Sequence, residues 1–500
     1  MNSSARLQFS FLVALLCFSL SKGIAQPGVY QVKYKITEKN ALTILNNKQI
    51  VGYAFFYQID KMKSSGLYRL VILDENLKEI GANEFEGGKD LELLKILYES
   101  ESFFLCFEDN TKYNGFKNFI KVIDLKGKEL GLVGYDPDKV SSGLLGGIAA
   151  SKMSEGFEGI ENIENKGIVR IYQSRAKTGG VDIQFINPSG KLVWEKNVTA
   201  NTGERTDMYL FGTTPNAILM VQLDRSALLS RKGEYYITGF SPVSGTQLFK
   251  RSLKMNGYHH IPQMIKRNAE GKYIIVSNLL NENEKLQKAG PKGIGFFQID
   301  DLTGEMTLLK EFTYENDLNN LLKMKTKTRS ELGFIHLQDL IFMTGGEIVL
   351  VGEFFSESKE YSYKSIIDDM FLLRLDKNFN ASSFEKIETT GYYASSLGAG
   401  PSGQVAMLLK AFNAFQYRYT DEGMDGNRKI IVAHCEINDL GFGKYAIEIQ
   451  ENSGYIVKEL KGTKEKNVSF YVNRAKPGFV MVTKYDHNEK ALSFSLEKID

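Results

Sequence analysis

Gly271-Lys272-Tyr273-Ile274-Ile275-Val276 is a turn residue followed by a run of aromatic and branched apolar residues. Glycine takes the backbone angles of a tight turn, and the residues after it suit a pleated, half-buried strand. The phrase recurs along the chain. Before this copy it reads Gln49-Ile50-Val51-Gly52-Tyr53-Ala54-Phe55-Phe56, Ser102-Phe103-Phe104-Leu105-Cys106-Phe107, Gly167-Ile168-Val169-Arg170-Ile171-Tyr172 and Asn216-Ala217-Ile218-Leu219-Met220-Val221. After it come Gly346-Glu347-Ile348-Val349-Leu350-Val351, Gly403-Gln404-Val405-Ala406-Met407-Leu408 and Gly478-Phe479-Val480-Met481-Val482. These eight copies are irregularly spaced.

Further strand-like segments surround each copy. In the fifth unit, 260–267 alternates, Asn268-Ala269-Glu270-Gly271 turns, and 272–279 is apolar. A polar loop leads to 294–299, then Asp300-Asp301-Leu302-Thr303-Gly304 turns into 306–312. These four strands are lettered a to d. The c–d turn also repeats, as Asp74-Glu75-Asn76, Asp124-Leu125-Lys126-Gly127, Asn187-Pro188-Ser189-Gly190, Ser241-Pro242-Val243-Ser244-Gly245 and Asp376-Lys377-Asn378-Phe379-Asn380. A looser version is Asn438-Asp439-Leu440-Gly441. The opening side chain accepts backbone N–H groups, and the closing glycine takes φ > 0.

The last unit has three strands, at 468–472, 479–485 and 491–499. Near the other end, Val29-Tyr30-Gln31-Val32-Lys33-Tyr34-Lys35-Ile36 alternates like a strand. It is expected to supply the missing d strand, which would close a ring and remove an exposed sheet edge. Four-stranded units with matched ends imply an all-β chain, a single β-propeller of eight four-stranded blades, with seven as the alternative count. The hairpin from Ile186 through Asn187-Pro188-Ser189-Gly190 to Trp194 resembles those of quinoprotein-type propellers. The chain also resembles an uncharacterised family of exported bacterial proteins. The paired Gly-His and Trp-Asp of WD40 repeats are missing, as are kelch and sialidase signatures.

Blades are expected at 41–85, 91–135, 157–198, 206–253, 260–312, 334–388, 393–450 and 467–499, the last completed by the N-terminal strand. Segment 455–460 is an unplaced strand. Two inserts interrupt the scheme. Segment 141–156 is rich in Gly and Ala, and 314–331 carries Leu318, Leu321, Leu322 and Met324 at helical spacing.

Residues 1–25 read as a signal peptide and 26–500 as the propeller. Arg6 precedes an apolar run over 9–20, and Gly23-Ile24-Ala25 offers small residues before the cut. That implies export, to the periplasm or outside the cell. The apolar run is shorter than the roughly 20 residues that span a bilayer. Removing the signal takes away Arg6 and Lys22 and no acids, which brings the 62 Lys and Arg level with the 60 Asp and Glu. A neutral mature chain argues against a dedicated nucleic-acid binder. Cys106 and Cys435 fall in blades two and seven, too far apart for a disulfide, and are expected as buried thiols.

The b–c loops are the long ones, at 60–66, 109–117, 174–180, 225–233, 281–293, 356–368 and 413–428. They emerge on the same face as the d–a connectors and are rich in cations, whereas the c–d turns of the other face lean acidic. Aromatic residues interleave with the cations. The expected binding residues are Arg231, Lys232, Tyr361, Tyr363, Tyr417, Arg418, Tyr419 and Arg428. Aromatic faces beside Arg and Lys suit a glycan, an envelope polymer or a protein partner. A monomer is expected.

Signals of catalysis are weak. The five histidines include no metal-ligating spacing, and adjacent His259 and His260 point to opposite faces of a strand. The stretch Asp421-Glu422-Gly423-Met424-Asp425-Gly426-Asn427 departs from a calcium loop at Gly423, and Val432 stands where the bidentate Glu belongs. No Gly-x-Ser-x-Gly, phosphate loop or dinucleotide fingerprint occurs. Neither a metal nor a cofactor is expected. The alternative is a carbohydrate-active hydrolase or lyase, marked by carboxylates or histidines converging at the channel mouth.

Overall fold

The computed structural model describes residues 29–32, 41–46, 49–112, 115–135, 159–173, 180–199, 205–226, 233–282, 291–321, 334–357, 364–389, 392–395, 409, 414–422, 428–435, 442–451, 454–460 and 467–499. Their strands form eight antiparallel sheets, each with four strands in the order a, b, c, d, to which Lys254–Met255 adds a short fifth strand in blade five and Tyr392–Ser395 one in blade six. The protein is an eight-bladed β-propeller.

In seven of the eight blades the recurring phrase is strand b, and in blade seven that strand is Arg428–Cys435 instead. In blade five, Tyr273–Asn281 lies between Tyr258–Arg267 and Gly293–Ile299, with Met306–Thr313 as strand d. Both faces of strand b are covered, so its pattern is a continuous apolar run. Ile274 and Val276 pack into a core with Ile348 and Leu350 of blade six. Ile275, between them, packs with Leu219 and Val221 of blade four. Successive side chains point to opposite faces, so one strand serves two joints. Every joint between neighbouring blades has its own apolar core of this kind.

The ring closes as expected. Val29–Gln31 pairs antiparallel with Ala491–Lys498, matching Val29 with Ser493 and Gln31 with Ala491. Val32 is 2% exposed and lies in the joint between blades eight and one. Tyr30 contacts Phe494 at 5.9 Å and Phe55 of blade one at 5.7 Å between ring centroids. Residues 33–36 of the anticipated strand lie outside the described residues, as do the signal segment and the insert at 141–156.

The c–d turns have the expected chemistry. Asp74 Oδ1 accepts the N–H groups of Asn76 and Lys78, both at 2.8 Å. Asp124, Asn187, Asp300 and Asp376 do the same in their own turns. Several of these turns also dock on the preceding blade. The Trp194 indole N–H donates to Pro242 O at 2.9 Å, and its ring lies over Gly245. Phe249 lies likewise over Gly304. Both glycines have positive φ, +67° and +69°.

Blade seven departs from the sequence reading. Its strands are Tyr417–Asp421, Arg428–Cys435, Phe442–Ile449 and Tyr455–Leu460. The unplaced segment 455–460 is therefore strand d, and 413–428 is no b–c loop. It contains strand a and most of the a–b turn. Asn438-Asp439-Leu440-Gly441 falls between strands b and c, not c and d. The phrase copy at 403–408 lies outside the described residues. The first b–c connection is also short, since Gln49–Lys61 runs almost directly into Ser65–Leu73. In the other insert, a π-helical turn at Tyr314–Leu318 and a helical turn at Asn319–Leu321 buries Leu318 in the joint of blades five and six. The remainder of that insert is outside the described residues.

Candidate functional site

Strand a is innermost in each blade. Along most of its length it pairs only with strand b, and a strands of neighbouring blades approach one another around the axis. Three adjoining blades share an irregularity there. In blade five the ladder steps from Pro262–Ser277 to Met264–Val276, leaving Gln263 unpaired. In blade six it steps from Leu337–Gly352 to Asp339–Val351, leaving Gln338. In blade seven it steps from Tyr417–Val432 to Tyr419–Ile431, leaving Arg418. Each bulge sits opposite the fourth residue of its strand b. A bulge bends its strand and re-aims the extra side chain. All three of these side chains are half-buried. Blades two and four have bulges at other registers, and their extra residues are Leu94 and Phe211.

A polar network fixes the strands beneath the three side chains. Asp339, on strand a of blade six, receives Lys266 Nζ of blade five at 2.6 Å. It also accepts the hydroxyls of Tyr417 at 3.0 Å and Thr420 at 2.7 Å from blade seven. One carboxylate thus ties three inner strands together. Burial and the Asp339 charge hold the Tyr417 hydroxyl well above its ordinary pKa, so it acts as a donor.

Glu353, on strand b of blade six, is 0% exposed. It accepts the backbone N–H groups of Gln416 at 2.9 Å and Tyr417 at 2.8 Å, and the Gln338 amide at 2.9 Å. Burial raises its carboxyl to about 7, against the lowering effect of those N–H groups and of Arg418. A carboxyl so enclosed anchors the connector into blade seven and meets no substrate. Above it, Phe334, Phe355, Ile367, Leu409 and Phe415 form a small additional core, and His336 stacks on Phe415 at 4.4 Å. Strand c of blade six extends here to pair with Tyr392–Ser395.

A second constellation has the residue types of a hydrolase triad. His260 Nδ1 is 3.1 Å from Ser277 Oγ, and its Nε2 is 2.9 Å from Glu311 Oε1. Ser277 and His260 are both 0% exposed, and Ser277 Oγ also lies 3.1 Å from Gly295 O. A nucleophile must reach substrate. This row spans the four strands of blade five and braces it instead. Burial lowers the His260 pKa, while Glu311 opposes the shift.

Among the expected binding residues, Arg231, Lys232, Tyr361 and Tyr363 lie outside the described residues. Tyr417, Arg418 and Tyr419 are on the inner strand of blade seven rather than in a loop. Tyr419 is 7% exposed, and its hydroxyl donates to Phe479 O of blade eight at 3.3 Å. Arg428 opens strand b at the a–b end, away from the b–c loops, and pairs with Glu422 at 3.4 Å. The structure therefore places Tyr417, Arg418 and Tyr419 together on one inner strand, with Tyr417 and Tyr419 packed into the blade joints, and puts Arg428 on strand b. Several loop cations are paired, Lys61 with Asp90 at 3.1 Å, Lys117 with Glu108 at 3.2 Å and Arg225 with Asp207. Gln263 and Gln338 had no sequence signal, because a bulge is visible only against its partner strand.

Among the described residues, no group of three or more His, Cys, Asp or Glu could hold a metal ion, and no helix is long and apolar enough to cross a membrane.

A family model described as "Family of unknown function (DUF6770)" matches residues 6–500. No curated protein matches the chain. Among solved structures it is similar to the WD40 domain of SCAP from fission yeast, at 10% identity and TM-score 0.37, covering 95% of this chain and 98% of that one. It is also similar to a quinohemoprotein alcohol dehydrogenase from Comamonas testosteroni, at 11% identity and TM-score 0.34, covering 80% and 68%. A polysaccharide lyase of family PL25, an ulvan lyase, matches at 9% identity and TM-score 0.34, covering 87% and 95%.

Proposed function

The chain belongs to this family of unknown function, and we propose that it is an exported binding protein whose ligand enters the propeller channel. The observation that carries this reading is the trio Gln263, Gln338 and Arg418, one polar side chain set out by the same bulge in each of three adjoining blades. Bulges are retained features next to functional sites. The network around Asp339 and Glu353 holds the three strands in place, which is the support a preorganised site needs. The b–c loops with Arg231, Lys232, Tyr361 and Tyr363 would flank the entrance on one face. Export rests on the apolar run at 9–20.

The carboxylates at this joint favour binding over hydrolysis or elimination. Asp339 is saturated by three donors from two other blades, and Glu353 is sealed from solvent.

The test is a thermal-shift screen of the full chain against glycans, polyanions and fractions of the host envelope. Each hit is repeated on a variant carrying Gln263→Leu, Gln338→Leu and Arg418→Leu, the apolar character that the bulges of blades two and four possess. A stabilisation lost in the variant supports the channel site. One retained in full moves the site elsewhere.

A further inference from the structure

The joint of blades eight and one carries a polar and aromatic cluster away from the inner strands. Phe55 and Val71, paired across strands b and c of blade one, are 0% exposed and pack with Met481 and Phe494 of blade eight. Tyr57 and Arg69 are the next pair on that face, two residues along each strand, and Glu84 of strand d pairs with Arg69. This row is open to solvent. Tyr57 is half-buried, and the Arg69 and Glu84 side chains are 36% and 50% exposed. Tyr57 stacks on Phe55 at 4.8 Å between ring centroids. Tyr30, from the closing strand of blade eight, is also half-buried and meets the same Phe55 ring. Burial raises the Tyr30 pKa, and the Glu79 carboxylate and Tyr57 hydroxyl beside it add to the shift.

Arg69 Nη1 is 3.8 Å from Glu84 Oε1, and its Nη2 is 4.0 Å from Glu79 Oε1. Both distances exceed a hydrogen bond. The buried Nε has no hydrogen-bond partner among the described residues either. The guanidinium thus stands between two carboxylates that attract it without engaging its N–H groups. A hydroxyl set between them accepts from Arg69 and donates to a glutamate, whereas a carboxylate can only accept. Two carboxylates around one guanidinium also leave the local charge negative, which turns away an anionic ligand. The complement is an uncharged molecule with adjacent hydroxyls and an apolar face to lie against tyrosine rings.

We infer that the open row at the joint of blades eight and one binds a neutral sugar residue of a glycan. Arg69 donates to one hydroxyl, Glu79 and Glu84 accept from its neighbours, and Tyr30 and Tyr57 lie against the ring. The site is separate from the channel and does not rest on that reading.

The test is isothermal titration calorimetry of the full chain with neutral tetrasaccharides of glucose, of galactose and of mannose, and with the tetrasaccharide of galacturonic acid. The expected result is binding of at least one neutral sugar, and weaker binding of the acid. Arg69→Met should weaken the neutral sugar about tenfold or more, the scale of one charge-assisted hydrogen bond. Glu84→Leu, at an exposed position, should act in the same direction. Thermal melts of each variant establish that it folds, and Glu84→Leu carries the test if Arg69→Met does not. Neutral-sugar binding unchanged by both substitutions overturns the site. Binding of the acid more tightly than any neutral sugar overturns the ligand class. Binding lost in the triple channel variant but kept in Arg69→Met puts the sugar in the channel, which overturns this inference and supports that reading. No binding of any neutral sugar overturns the inference and leaves the channel reading to its own screen.

Discussion

Glu353 shows how far a single residue's environment can depart from what its neighbours in sequence suggest. It follows the phrase Ile348-Val349-Leu350-Val351-Gly352, and nothing local marks it. The fold closes over it completely and raises its carboxyl to about 7, against about 4.3 in an unfolded chain. The folded state then binds the proton more tightly than the unfolded state. Its stabilising contribution is full below about pH 4 and is lost as pH rises through about 7. Thermal melts between pH 5 and pH 8 should show stability falling with pH, and Glu353→Gln should flatten that slope; parallel slopes for the two proteins would refute it. His260 makes a second case. His260→Ala leaves Ser277 and Glu311 without their shared partner, and should cost roughly 2–4 kcal/mol in denaturant unfolding. An effect under about 0.5 kcal/mol, the range of ordinary surface substitutions, would mean the row is no brace.

Among elements, the c–d turn was legible in six blades and misread in blade seven, and its second role was not legible at all. Its Asp or Asn opening and Gly closing are local chemistry, and the turns form as their residues require. That the glycine also receives an aromatic ring from the preceding blade depends on the angle between blades. A side chain at Gly304 would combine an unfavourable φ of +69° with a Cβ at 2.3 Å from the Phe249 ring. Gly304→Val should therefore destabilise by roughly 2–4 kcal/mol. Trp194→Ala should cost about 2 kcal/mol, less than a fully buried Trp because the ring is only half covered. Equilibrium unfolding measures both, and a neutral Gly304→Val would show that the turn yields without penalty. The inner-strand bulges could not be read at all. An extra residue exists only relative to the strand it fails to pair with.

For the whole molecule, ring closure through the N-terminal strand carries the clearest consequence. Deleting residues 29–32 removes the fully buried Val32 and the Tyr30 contacts to blades eight and one, and reopens an edge. The loss should be roughly 3–5 kcal/mol, seen as a lower melting temperature. An unchanged melting temperature would mean the closure is incidental. The sequence by itself determined the class, the repeat and the closing strand, and narrowed the blade count to eight or seven. Those depend on local turn chemistry and on strands buried on both faces, and each such signal is confined to a few consecutive residues. Only the tertiary structure decided which segments make blade seven, that Tyr417 and Arg418 lie on its inner strand, and that Gln263, Gln338 and Arg418 sit at matching bulges of three adjoining inner strands. An apolar run reads the same whichever sheet accepts it, and a side chain's neighbours on other blades are set by pairing register and ring geometry, neither of which is written in any one stretch of chain.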